Sequence, residues 1–153
     1  MSNLNLQVVP FASVEDDIRR LVEEHWREVT SDPEGMPLDP DWNKYVVMDG
    51  AGLLFTMTAR DNGALVGYII HLVYPALHYK TVLMASDDAH FIRKSHRTMR
   101  NVKAMFDFAE EALSLMGVNV ITYHGKTRPD INHQRTYELL GYKLHEQIFI
   151  KRL

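Results

Sequence analysis

Residues 87–116, DDAHFIRKSHRTMRNVKAMFDFAEEALSLM, decide the fold. They read as a strand running into a basic turn and straight on into an amphipathic helix. Val102, Met105, Phe106, Ala109, Leu113 and Met116 recur at the three/four spacing that places them on one helical face. Gly117 follows as a stop. Just before the helix stand Arg93, Lys94, His96, Arg97 and Arg100, with Lys103 in its first turn. The helix macrodipole is positive at that end, so cations avoid it unless an anion belongs there. Free backbone N–H groups and basic side chains together make a phosphate site. A solvated basic turn is the simpler alternative.

Upstream, residues 6–10 form a short apolar run, expected as a first strand ended by proline. Ser13 is placed to cap a helix with Asp16 at its third position. That helix turns Ile18, Leu21, Val22, His25, Trp26 and Val29 inward, and its other side is acidic. Asp39-Pro40 reads as the start of a second helix, with Trp42, Tyr45 and Val46 facing the core. Residues 53–59 and 65–74 read as strands joined at Asp61-Asn62-Gly63, a strong hairpin signal. Gly67 marks a bulge or a bend in the second. A long strand then covers residues 81–85 and 89–92, with Asp87 and Asp88 near its middle.

Downstream, residues 118–123 are a β-branched strand and residues 125–130 a polar loop. Residues 131–140 read as a short helix closed by Gly141, and residues 142–151 as a last strand with Leu144, Ile148 and Ile150 on one face. Hairpin-linked strands come first and crossover helices later. The expected fold is therefore α/β (α+β), a mixed sheet flanked by about four helices in a single domain spanning residues 1–153.

The chain has 153 residues and no cysteine, which removes disulfides, thiolate catalysis and Cys-ligated metal centres. His124, His133 and His145 lack a metal-ligand spacing. The formal charge of −3 argues against a general nucleic-acid binder, though not against a local basic patch. MSNLNLQVVPF lacks a basic region followed by an apolar run, and no apolar stretch is long enough to span a bilayer. A cytoplasmic protein is expected.

Asn132 followed by Tyr137-Glu138-Leu139-Leu140-Gly141-Tyr142 resembles the closing pattern of the GCN5-related N-acetyltransferases, an Asn and then Tyr-Glu-Lys-Leu-Gly-Phe. Residues 149–153, FIKRL, resemble that family's last strand. Ile92 and Arg97 are similar to the strand end and first arginine of its acetyl-CoA pyrophosphate loop. Among members, the small ones often encoded by bacteriophages are the nearest in kind. The loop departs from the pattern, because Arg100 and Val102 stand in the glycine places. Glycine there lets backbone approach phosphate closely, and arginine and valine do not. Added basic side chains can compensate as phosphate ligands.

The resemblance implies acetyl transfer from acetyl-CoA to an unidentified amine, in a small molecule or a protein, within a ternary complex. It implies that the cofactor meets the backbone of Phe91, Ile92 and Arg93, the loop Arg97, Thr98, Met99, Arg100, Asn101, Val102 and Lys103, and Asn132. Asn132 also suits an N-cap. Tyr137 would protonate the departing thiolate; an aromatic packed under the last helix is the alternative. Asp88, sharing a strand face with His90 and Ile92 by alternation, would accept the amine proton, with His90 as another base. The altered loop also admits a binding protein of reduced activity that docks on a protein partner. A nucleic-acid factor using the basic patch is weaker still. A homodimer is compatible with the sequence but not indicated by it.

Overall fold

The computed structural model describes residues 4–126 and 132–153. The chain forms two compact units, residues 1–123 and 124–153. The first holds β1 (Asn5–Val8), α1 (Glu15–Val29), α2 (Trp42–Gly50), β2 (Leu54–Asp61), β3 (Ala64–Pro75), β4 (Leu83–Ile92), α3 (Met99–Leu115) and β5 (Val120–Thr122). The second holds α4 (His133–Leu139). The sheet order is β1-β2-β3-β4-β5, antiparallel through β4 and parallel between β4 and β5. The sheet is mixed, as expected.

Asn62 and Gly63, at φ 48° and 83°, make the β2–β3 turn with both central residues left-handed. Beyond it, Ala59 pairs Gly67 and Arg60 pairs Leu65, so Val66 is an extra residue beside Gly67. Gly67 is also a point of close approach. A Cβ there would lie 2.7 Å from the Phe91 carbonyl oxygen and 3.1 Å from Met105 Cε.

Apolar residues cover both faces of the sheet. Phe11, Val14, Ile18 and Leu21 pack with Leu54, Leu65, Tyr68, Ile70 and Phe91, joined by Trp42 and Tyr45 of α2. On the opposite face Met105, Phe106, Ala109 and Leu113 of α3 are buried, the helical stripe expected from spacing. Met116 instead sits at the C-cap, 47 % exposed. Gly117 at φ 88° ends the helix, its N–H on the Ser114 carbonyl and that of Val118 on Leu113.

Three expectations need correction. Ser13 does not cap α1: its hydroxyl donates to the Pro10 carbonyl at 2.7 Å within a short 3₁₀ turn, and Val14 takes the cap position without a side-chain bond. Asp41 rather than Asp39 caps α2, accepting from the Lys44 N–H at 3.0 Å. Residues 142–151 do not form a strand. Leu144, Ile148, Phe149 and Ile150 are exposed, and α4 is the only regular element among the described residues of that unit. An alternating pattern needs a neighbouring strand edge before it becomes a strand. No helix among the described residues is long and apolar enough to cross a membrane.

Candidate active site

The register of β4 sets the site. Ile70 pairs Ala89 and His71 pairs Asp87, so Asp88 is a bulged residue opposite no partner. Cross-strand partners share a face. Asp87 therefore falls on the same face as His90 and Ile92, and simple alternation, which grouped Asp88 with them, fails at the bulge. The His90 Nδ1 lies 2.9 Å from Asp87 Oδ2. Asp88 turns toward α2 instead, where its Oδ2 accepts the Tyr45 hydroxyl at 2.5 Å.

β5 pairs only with Met84, Ala85 and Ser86. From Asp87 to Ile92 that edge of β4 has no strand beside it among the described residues. The strands thus part after Ser86, ahead of the bend that leads to α3.

The bend is bonded largely to itself. The N–H groups of His96, Arg97 and Thr98 donate to the carbonyls of Arg93, Lys94 and His96. Thr98 caps α3 through the Asn101 N–H at 3.2 Å, and the Val102 N–H bonds the Thr98 carbonyl. The Asn101 amide donates to the His96 carbonyl at 2.8 Å. Arg93 Nε bonds Glu24 Oε2 at 3.0 Å, and Arg97 Nη2 bonds Glu28 Oε2 at 2.8 Å. Arg97 also donates Nε and Nη2 to the Ile92 carbonyl and lies over the Phe91 ring. Lys103 pairs with Asp107 one turn on. Lys94, Met99 and Arg100 are exposed.

Beneath the bulge, two phenols sit in line on the α1–α2 face. The Tyr68 hydroxyl lies 2.7 Å from His25 Nδ1. Burial, helped by the Asp88 carboxylate, pushes the Tyr45 phenol above the ordinary tyrosine range. Burial does the same to Tyr68, with smaller contributions from Tyr45 and Asp88. Nearby, Arg19, Val22, Glu23, Trp26, Leu38, Pro40 and Trp42 line an open cleft of about 530 Å³. The Arg19 guanidinium lies 4.8 Å from the centre of the Trp42 ring. On the α3 face, His71 is fully buried and burial lowers its pKa to about 4, against the opposing pull of Asp87.

In the second unit Asn132 caps α4, its side chain accepting the Arg135 N–H at 2.9 Å. The Tyr137 hydroxyl donates to the His124 carbonyl at 3.2 Å. The structure thus brings Phe91, Ile92, Arg93, Arg97 and the start of α3 together at one end of β4.

Sequence reasoning missed Glu24, Glu28, Tyr45 and Asp87 as members of this site. Glu24 and Glu28 stand one helical turn apart, a spacing that presents two acids to one neighbour. In the sequence they stand out only as part of the acidic side of α1.

No family model matches the sequence, and no curated protein matches it. Solved structures do match the fold. A ribosomal-protein-alanine N-acetyltransferase from Brucella melitensis is 14 % identical with a TM-score of 0.75, covering 99 % of both chains. AAC(6')-Iy, solved with the bisubstrate analogue CoA-S-monomethyl-acetylneamine, is 15 % identical with a TM-score of 0.71 over 99 % of both. A glucosamine-6-phosphate N-acetyltransferase from Arabidopsis thaliana is 11 % identical with a TM-score of 0.71 over 98 % of both. Over nearly its whole length, therefore, the chain has the α+β fold of the GCN5-related N-acetyltransferases.

Proposed function

We propose that the chain is an acetyl-CoA-dependent N-acetyltransferase that acylates a primary amine by direct transfer in a ternary complex. The observation that carries this is the edge of β4 from Asp87 to Ile92, which has no strand beside it among the described residues and runs into the basic bend and the N-terminus of α3. An open strand edge suits the amides of a pantetheine arm, and the helix start suits an anion. The similar fold of AAC(6')-Iy, solved with a CoA-containing analogue, supports the reading.

The edge and the bend fit the cofactor in different ways. Phe91, Ile92 and Arg93 offer backbone groups, and Asn132 a side-chain amide. In the loop from Arg97 through Thr98, Met99, Arg100, Asn101 and Val102 to Lys103, several amides already have internal partners. There the basic side chains carry the diphosphate, which suits arginine's fixed fork of donors. Acetyl-CoA supplies an activated thioester carbonyl. A base on β4, Asp88 or His90, takes the amine proton, and the Tyr137 phenol returns a proton to sulfur. The cleft by Trp26 and Trp42 receives the amine, whether of a small molecule or a protein.

A second reading, a protein-docking module of reduced activity, draws on the internally bonded bend and its paired arginines. Thermal unfolding with millimolar acetyl-CoA separates the two. The transferase gains melting temperature by mass action, about 2.7 kcal/mol at one hundred times Kd. No shift, with no CoA species found by mass spectrometry on the purified protein, leaves the docking module.

A further inference from the structure

We propose that the cleft beside Trp26 and Trp42 selects a hydrophobic monoamine: one primary amine joined by a short link to an apolar ring, with no second cation. This deepens the transferase reading above and rests on it. The cleft does not end at its open part. Val22, Pro40 and Trp42 also line an inner chamber of about 40 Å³, walled further by Phe11, Tyr45, Tyr68 and Ala89. The outer space thus continues inward to β4, where Ala89 stands next to Asp88 at the bulge. A chamber of this volume holds about three waters. It has room for a two-carbon link and too little for a ring, so the ring stays in the outer cleft with the two indoles.

The inner walls are aromatic, and their polar ends are already engaged. Phe11 stacks on Tyr45 at a centroid distance of 4.9 Å and on Trp42 at 6.4 Å. The Tyr45 hydroxyl donates to Asp88, and the Tyr68 hydroxyl is held by His25. Ring faces and hydrocarbon therefore meet whatever enters. Aromatic walls also suit a cage for ammonium groups, but the charges here oppose that use. The Arg19 guanidinium already lies over the Trp42 ring, 4.8 Å from its centre. A second cation on the substrate's tail would meet it at like charge. Arg19 and Glu23, the charged residues lining the outer cleft, are each paired along α1, Arg19 with Glu15 and Glu23 with Arg27. The outer wall is electrically balanced and offers no surplus negative charge to a polycation. At the inner end a single carboxylate, Asp88, matches a single ammonium.

The test has two arms. The chain's two tryptophans, Trp26 and Trp42, both line the cleft, so their fluorescence reports on it without turnover. Phenethylamine should change the emission saturably, and spermidine at matched ionic strength should not. In the second arm, with acetyl-CoA, kcat/KM for phenethylamine should exceed that for spermidine at least about tenfold. Arg19→Gln, on the exposed side of α1, should narrow that ratio about two- to fivefold through a gain for spermidine. Trp26→Ala should keep the acetyl-CoA melting shift and raise KM for phenethylamine about tenfold. Three outcomes overturn the proposal: no saturable emission change, spermidine acetylated as well as phenethylamine, or a peptide N-terminus preferred to both. An unchanged ratio in Arg19→Gln overturns the exclusion of a second cation. In each case a melting shift with acetyl-CoA leaves the transferase reading intact. A protein that neither binds acetyl-CoA nor acetylates any amine overturns both the proposal and the function it rests on.

Discussion

Arg97 folds back on the strand it follows: its Nε and Nη2 both donate to the Ile92 carbonyl, at 3.0 and 2.7 Å. The same guanidinium bonds Glu28 of α1. The arginine proposed to face a diphosphate is therefore already neutralised by the protein's own acid. An incoming anion must compete with Glu28. Partly exposed ion pairs contribute about 0.2–1 kcal/mol, so Glu28→Gln should tighten CoA binding by roughly 1.4-fold to fivefold. Arg97→Gln should weaken it. Titration calorimetry with CoA checks both signs, and weaker binding in Glu28→Gln would remove this competition.

At Gly67, β3, β4 and α3 approach one another closely. Alanine there puts a Cβ 2.7 Å from the Phe91 carbonyl and 3.3 Å from Ile92 Cα, both backbone atoms that cannot swing aside. Overpacking of this kind costs about 1–3 kcal/mol. Gly67→Ala should lower the melting temperature by roughly 3–10 °C in a chain of this size. It should also weaken CoA binding, because the displaced strand end leads into the bend. An unchanged melting temperature would show that β3, β4 and α3 make room for a methyl group without strain.

His71 should make stability depend on pH. It is fully buried, neither ring nitrogen has a hydrogen-bond partner among the described residues, and its folded pKa is about 4. The unfolded chain takes up that proton near pH 6.5 and the folded chain only near 4, so acidification favours unfolding across that window. The loss reaches about 3 kcal/mol by pH 4. His71→Phe should flatten the fall in urea midpoint between pH 7 and pH 5. Equal slopes for variant and wild type would assign the acid sensitivity to other groups.

Tyr137 is tested by removing one oxygen. Tyr137→Phe loses the proposed proton donor and a hydrogen bond to the His124 carbonyl that is 3.2 Å long and exposed. Turnover should fall about 100-fold with acetyl-CoA affinity nearly unchanged. Equal turnover in steady-state assays would take Tyr137 out of the mechanism.

Much of the fold was legible because local chemistry and tertiary structure agree. The Asn62-Gly63 turn, the α3 stripe of Met105, Phe106, Ala109 and Leu113, and the Asn132 cap all stand where spacing put them. The last strand was not, because its pattern could not reveal whether a partner edge lies beside it. The basic bend was legible in the sequence, but what holds it was not. Glu24 and Glu28 are distant in sequence from Arg93 and Arg97, and nothing local distinguishes an acid that clamps from one that faces water. The pairing of Asp87 with His90 was hidden for another reason: counting by twos fails across an inserted residue.

That extra residue gives β4 two chemistries instead of one. Without Asp88 the strand would carry a single acid, matched to the imidazole. With it, one carboxylate serves the helix-α3 side and a second reaches the phenol of α2, so the two surfaces of a single ribbon can be altered independently. Substitution on the surface facing α2 then need not disturb the Asp87–His90 pair behind it.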